Sequence, residues 1–407
     1  MSFFEHNESV PLQKILVAGV GGGGSNVVDR MVKSWSEGPE AAVINTDLKA
    51  LGACEVSQRI QIGRNITKGL GAGGDVSAGK MAAEDDVDRL RGLVAHSHLV
   101  IIVAALGGGT GTGAAPILAR IAREEGALTL CFVSMPFDFE GERRTEHARD
   151  GLRALKMEAD AVVCLPNQNL LEMVPDKTSL ISAFETSDQM IGTGIQSLWR
   201  LLTQNGMINL DFADLRNLVE HSGGSCSFGY GEGEGSEKSA QALHSITAGP
   251  LLDHGNVLAQ SEALLISIVG GMDLTLMDIQ TIMAHLKAIA RPDARLAMGA
   301  TINPEWKGRL ALTVLAADNW DETPPAPAAP APAASKSTSK VEKEPELVMD
   351  LSAEGRAARK KGIQATLDFE SNEKGRLFSK VEPTLYNGED LDIPTFVRRG
   401  IKISIDK

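Results

Sequence analysis

Apolar residues recur along this chain in short runs separated by longer stretches with helical spacing. The runs are KILVAGV (14–20), AAVINT (41–46), HLVIIVAAL (98–106), LTLCFVSMPF (128–137) and AVVCLP (161–166). Continuous apolar runs of this length suit strands buried on both faces. Their alternation with helical stretches predicts a parallel sheet covered by helices. The apolar-periodic stretch from Ser179 to Gln204 reads as one long helix or a helix pair. A second block, 207–317, holds ALLISIVGG (263–271), ARLAMGATI (294–302) and RLALTVLAA (309–317), with helix-like LMDIQTIMAHLKAIA (276–290) after the first run. It predicts an α+β domain with a sheet of its own.

Beyond Ala317 the pattern stops. TPPAPAAPAPAASKSTSK (323–340) is rich in Pro and Ala and cannot pack a core, which predicts an extended, disordered linker. Apolar residues return only in LYNGEDLDIPTFVRRGIKISIDK, at the end of that tether. An apolar motif so placed is expected to be a docking peptide that folds on a partner.

Composition narrows the classes. The chain has 407 residues, enough for two domains plus extras. Its net charge is −13, and 318–407 hold 14 bases against 16 acids, leaving −11 upstream. So acidic a body argues against general nucleic-acid binding. No apolar run approaches the ~20 residues of a membrane span. MSFFEHNES at the N-terminus does not read as a secretory signal. Four scattered Cys (54, 131, 164, 226) lack metal-ligand spacing and are expected to be buried free thiols of a reducing cytoplasm. His96 and His98 have chelating spacing but no third ligand, so a structural role is expected.

The 42 glycines concentrate the chemistry. The first strand runs into Gly19-Val20-Gly21-Gly22-Gly23-Gly24-Ser25-Asn26, then a helix. Such a loop brings backbone N–H groups and a helix N-terminus to phosphate oxygens. It also satisfies the dinucleotide fingerprint, with Asp47 as a ribose-binding acid, so an oxidoreductase stays open here. A second loop, Gly107-Gly108-Gly109-Thr110-Gly111-Thr112-Gly113, follows another strand and opens another helix. Two such loops, with threonine hydroxyls, suit a triphosphate held from both sides. Lys68-Gly-Leu-Gly-Ala-Gly-Gly-Asp75 offers a third set of close donors. Gly74 to Gly79-Lys80 has P-loop spacing, but Met81 follows where Ser or Thr is needed and no strand precedes it. A Walker-type site is rejected, and Lys80 is read as an ordinary helix residue.

GGGTGTG (107–113) resembles the signature of the tubulin/FtsZ GTPase family. VGGGGSNVVDRM (20–31), NTDLKAL (45–51), ITKGLGAGGD (66–75), PFDFEGERR (136–144) and INLDFADLR (208–216) are similar to the bacterial FtsZ branch rather than to eukaryotic tubulin. LDIPTFVRR (391–399) is similar to that branch's C-terminal peptide. The resemblance covers about 13–317 and again about 375–400.

It implies a GTP-binding, self-assembling GTPase of the bacterial division ring. Cofactors would be GTP or GDP, with Mg²⁺ on the phosphates and no side-chain metal ligands assigned. Gly22, Gly23, Gly24, Ser25 and Asn26 would form the first nucleotide loop, Asn26 facing guanine. Ala72 and Gly73 would lie near the γ-phosphate, and Gly109, Thr110 and Gly111 would cradle the phosphates. Glu140 and Arg144 would contact the ribose and its surroundings. Asn167 and Asp188 would face the base, where a carboxylate accepts both N1–H and N2–H of guanine. Asn209, Asp211 and Asp214 would reach the nucleotide of the next subunit in a head-to-tail filament and orient the attacking water. Without the resemblance, Asp211 and Asp214 read as a helix N-cap with an acid in the first turn. Two departures stand out: Ser134-Met135 where Thr and a basic residue are usual, and Glu185-Thr186-Ser187 in place of smaller residues beside Asp188.

The expected fold is α/β: a parallel-sheet, Rossmann-like GTPase domain joined by a long helix to a smaller α+β domain, then a disordered tail. The divisions are a leader (1–12), the GTP-binding domain with its connecting helix (13–205), an α+β activation and polymerisation domain (206–317), a linker (318–388) and a docking peptide (389–407). A membrane adaptor and division regulators would bind through Asp392, Ile393, Pro394, Phe396, Arg398 and Arg399. The protein would act in the cytoplasm, at mid-cell beneath the inner membrane. A filament protein that binds GTP but barely hydrolyses it, and a nicotinamide-dependent oxidoreductase, are the competing classes. The Asn209/Asp211/Asp214 set argues against the first, and the second glycine-threonine loop against the other.

Overall fold

The computed structural model describes residues 13–317, apart from 36, 173–177, 204–205, 209 and 221–223, together with 385–386 and 389–390. Asn209 and the segment from Asp392 to Arg399 lie outside the described residues. Two compact units divide the chain, one up to Ala328 and one beyond it.

Ten strands form the first unit's sheet. They are β1 (Ile15–Val20), β2 (Glu40–Asn45), β3 (Gln58–Gln61), β4 (Leu99–Ala105), β5 (Leu128–Met135), β6 (Ala161–Pro166), β7 (Ser225–Glu234), β8 (Ala263–Gly270), β9 (Arg295–Ile302) and β10 (Arg309–Ala317). The spatial order is β3-β2-β1-β4-β5-β6-β7-β10-β8-β9. The first six strands are parallel, in a doubly wound order. β1, β4 and β5 are buried almost throughout because helices cover both faces. The order reverses between β1 and β4, which pair from Ile15↔Leu99 to Val20↔Ala104. The loops leaving their carboxyl ends therefore open side by side, at the switch point where such sheets bind ligands.

The expectation that 207–317 has a sheet of its own is corrected. β7 pairs with β6 at Val162↔Ser225 and Val163↔Cys226, and this two-residue seam makes one sheet of both halves. Beyond it β10 runs antiparallel to β7 and β8, and β8 runs parallel to β9. Two strands escaped the hydropathy pattern, β3 and β7. In β7, SCSFGYGEGE, glycine dilutes the apolar signal. Those glycines have a packing reason: a Cβ on Gly231 would lie 2.3 Å from the Ala242 carbonyl oxygen, and one on Gly233 only 1.9 Å from that of Lys238. The helix Lys238–Thr247 thus lies directly on the strand's backbone.

Leu180–Thr203 is one 24-residue helix, which settles the choice between one helix and two. Its Ile191, Ile195, Leu198 and Leu201 join a core with Val27, Val28 and Met31 of the first helix and with Leu265 and Leu315 of the second half. The opposite sheet face buries the helix Thr110–Glu124, and a third core lies between β8–β10 and the helices Lys238–Thr247 and Leu276–Ile289. All four cysteines are free, three of them buried; Cys164 is half-buried. Burial pushes the Cys131 thiol up, which makes it inert. His98 Nδ1 accepts the Lys14 N–H at 3.0 Å, a structural use of that ring. Among the described residues no helix is long and apolar enough to cross a membrane. In the second unit, Leu385–Tyr386 and Glu389–Asp390 pair antiparallel.

Candidate functional site

A cleft of about 710 Å³ opens over the carboxyl ends of the parallel strands. Both glycine loops reach it. Gly22 and Gly23 come from the start of the first helix, Gly108 to Gly111 from the loop after β4, and Gly71 to Gly74 from the third glycine segment. Gly21 takes φ +73°, and a Cβ there would lie 2.6 Å from the Gly111 nitrogen, so the two loops touch through backbone alone. Backbone N–H groups at helix starts form such anion-binding concavities.

The cleft lining includes Gly22, Gly23, Asn26, Ala72, Gly73, Gly109, Thr110, Gly111, Glu140, Arg144, Asn167 and Asp188. Gly24 and Ser25, expected there, are not among the lining residues. Both are buried, and a Cβ on Gly24 would meet the Val103 carbonyl oxygen at 2.1 Å. Gly24 lets the first helix sit directly on β4. The threonine hydroxyls also have partners within the protein. Thr112 Oγ1 accepts the Gly107 N–H at 2.9 Å, and Thr110 Oγ1 shares a hydrogen bond of 2.7 Å with Thr46 Oγ1. They close the loop and tie it to Thr46, the residue after β2. Lys80 pairs with Glu84 on an exposed helix face, as an ordinary helix residue does.

The other end of the cleft is polar and partly aromatic. Phe184 lines it and packs edge-on against the buried Phe137, ring centroids 5.2 Å apart. Asn167 Oδ1 accepts from Ser187 Oγ at 2.7 Å, within a buried pair. This contact gives the Ser187 departure a local role. Glu140 Oε1 accepts the Phe137 N–H at 3.0 Å, and its other oxygen pairs with Arg144. Asp188 is largely buried, and desolvation raises its carboxyl to about 6 although Arg30 opposes the shift. Arg30, Asn45, Asp47, Ala50, Met135 and Ile181 also line the cleft. Of these, Arg30 was legible: it lies one helical turn beyond Asn26 and therefore on the same face.

Asp211 and Asp214 are elsewhere. The Asp211 N–H donates to Asp214 Oδ2 at 3.2 Å, and the Asp214 N–H to Asp211 Oδ1 at 2.9 Å. This reciprocal pair caps the helix Phe212–Glu220, as the plain sequence reading expected. Neither residue lines the cleft. The helix Leu180–Thr203 begins at the cleft with Ile181 and Phe184 and carries the chain about 36 Å away before Asp211 is reached.

Residues 14–175 match the Tubulin/FtsZ family, GTPase domain, and 224–319 match the FtsZ family, C-terminal domain. The chain belongs to the Tubulin/FtsZ family. It is similar to the cell division proteins FtsZ of Bartonella bacilliformis and Caulobacter vibrioides, at 39% identity over 303 residues, 74% of this chain. The match spans 51% and 59% of those relatives' own lengths, so the chain covers little more than half of them. The solved structure of an empty FtsZ dimer from M. jannaschii is 34% identical with a TM-score of 0.70, over 75% of this chain and 88% of that one. A protofilament of CetZ2 from Haloferax volcanii shares the fold, at 23% identity and a TM-score of 0.64, over 76% and 95% of the two chains.

Proposed function

We propose that this protein binds GTP in the cleft, assembles head to tail, and hydrolyses GTP at the junction between successive subunits. One observation supports the reading: a 24-residue helix starts at the base end of the cleft with Ile181 and Phe184 and runs about 36 Å away from it before the chain reaches Asp211 and Asp214, neither of which lines the cleft. The phosphates lie on backbone N–H groups of Gly22, Gly23 and Gly109–Gly111, with the Gly71–Gly74 turn towards the γ-phosphate. The ribose lies by Glu140 and Arg144. The base lies between Asn26, Asn167 and Phe184, with Asp188 accepting N1–H and N2–H. Mg²⁺ takes oxygen ligands, keeps much of its water and arrives on phosphates. Asp47 lines the cleft beside the Gly71–Gly74 turn; its Oδ1 caps the helix Leu48–Ala53 by accepting the Lys49 and Ala50 N–H groups, and its Oδ2 would be the oxygen offered to such an ion or its water. When bound, the ion neutralises phosphate charge.

The next subunit's Asp211 and Asp214, with Asn209, then orient and polarise the attacking water. Phosphoryl transfer depends on positioning and electrostatics, so docking suffices to switch it on. The surface supports such docking. Leu48, Leu70, Phe139, Leu180 and Ile181 are exposed around the cleft end, and Met207 and Ile208 are exposed just before Asp211. Ile208 bridges to Ala300 of β9, and β9 ends beside Gly270 of β8, from which the exposed Met272, Leu276 and Met277 follow. Two different apolar ends suit a heterologous contact, which builds open filaments.

The similarity to cell division proteins supports a place in the division ring, in the cytoplasm beneath the inner membrane at mid-cell. There 389–407 would dock a membrane adaptor through Asp392, Ile393, Pro394, Phe396, Arg398 and Arg399. The test measures GTP hydrolysis per subunit against protein concentration, with light scattering in parallel. Specific activity should rise from near zero at the threshold where scattering begins. Activity constant per molecule at every concentration would mean that each chain holds a complete site.

A further inference from the structure

We infer that Arg30 is a further base-reading residue, beside Asp188, Asn26 and Asn167, and that Glu185 positions it; this rests on the GTP-binding reading above. Arg30 and Asn26 share one face of the first helix, and both line the base end of the cleft. Arg30 Nε lies 3.3 Å from Asp188 Oδ2, and its Nη1 lies 3.1 Å from Glu185 Oε1. Glu185 and Asp188 are three apart on the long helix and so present both carboxylates to one guanidinium. Only Asp188 lines the cleft.

The chemistry of the pair is complementary to one base. Guanine presents, in a row, two donors (N2–H and N1–H) and one acceptor (O6). A carboxylate beside a guanidinium presents two acceptors and then a donor. Adenine offers a donor at position 6 and an acceptor at N1, opposing charge patterns at both places. A carboxylate has no donor for O6; an arginine held against it supplies a charged one, beside the neutral amides of Asn26 and Asn167 that also line this end of the cleft. Arginine is the commonest side-chain donor to guanine O6 in the major groove of DNA, which shows the pairing is chemically favourable.

Glu185 supplies the holding force. With Asp188 as its only anion, Arg30 would follow that carboxylate and compete with the base for it. A second acid on the adjacent turn fixes the guanidinium's other nitrogen, so Asp188 can turn to the base while Arg30 stays at the cleft wall. The family departure at Glu185 thereby gains a use.

The experiment compares affinities of the full-length protein for GTP, ITP and 6-thio-GTP by equilibrium competition. ITP lacks the N2–H that Asp188 accepts, and 6-thio-GTP replaces O6 by sulfur, a weak acceptor. Measurement at about pH 7 keeps Asp188 mostly ionised and the N1–H of 6-thio-GTP in place. The wild type should prefer GTP over 6-thio-GTP by about tenfold. Arg30→Leu should bring that ratio close to one while the preference for GTP over ITP survives. Glu185→Gln should lower the GTP to 6-thio-GTP ratio by about threefold with the melting temperature unchanged. If Arg30→Leu does not fold, Glu185→Gln and Arg30→Lys carry the same comparison. Equal weakening of all three nucleotides, or no change in any ratio, would overturn the inference and leave Arg30 a clamp between helices. A wild type that binds none of the three would overturn the GTP reading instead.

Discussion

The two ends of the long helix are built on different plans. At the cleft end, polar groups are held by partners distant in sequence: Thr46 with Thr110, Ser187 with Asn167, Arg30 with Asp188. At the other end, Asp211 and Asp214 accept each other's backbone N–H groups, three residues apart. The first plan fixes a site before a ligand arrives. The second keeps a helix start in shape, and on the proposed function its carboxylates serve the next subunit. On the same reading, preorganisation belongs where the small ligand binds, and local capping is enough where a second subunit completes the geometry.

The sharpest way to break this contrast is Asp214→Asn. Turnover should fall about a hundredfold or more, because the lost charge acts on a neighbour's phosphate. Nucleotide affinity should stay as it is. Thermal unfolding should shift little, because the amide oxygen still accepts the Asp211 N–H. Normal turnover would end the in-trans assignment.

A paired glycine test separates packing from binding at the cleft end. Gly24→Ala places a methyl against the Val103 carbonyl oxygen and should cost about 2 kcal/mol or more in urea unfolding. Gly22→Ala meets no atom within 4 Å, so stability should hold while GTP affinity falls. Equal stability losses would erase the distinction between the two residues.

A smaller effect is expected from pH. Burial lifts Asp188 to about 6, and only its ionised form accepts two guanine donors. GTP affinity should therefore be flat above about pH 7 and fall as pH drops through about 6. The sign for folding is opposite. A raised carboxyl favours the empty folded state below its unfolded value of 3.8, and that advantage is lost as pH rises through about 6. Calorimetric titration of wild type against Asp188→Asn checks this, since the variant should lose the Asp188 part of the binding profile. The least effect belongs to Ser187→Ala, which frees Asn167 Oδ1 and should weaken GTP binding about threefold.

Much of this molecule was legible in its sequence, for physical reasons that vary by region. β1, β4 and β5 are covered on both faces, so their hydropathy is continuous and unmistakable. The glycine loops were legible because so many glycines between strong elements have few other uses. β7 was hidden, since its packing depends on side chains that are absent. The joined sheet was hidden too, because a two-residue seam leaves no periodic signal. Gly24 and Thr112 show the limit of motif reading: a signature fixes which residues occur, not which way they face. At the far end, the sequence suggested both a cap and a catalytic pair. The fold contains the cap, and the second role awaits a neighbour.

The separation of the two half-sites also sets a counting rule. If each junction makes one complete site, a dimer holds one for two chains, and a filament always holds one fewer site than subunits. The nucleotide on one terminal subunit waits with no carboxylates opposite it. Activity per chain then reports the number-average length of the polymer, and short oligomers are poor enzymes for reasons of arithmetic alone.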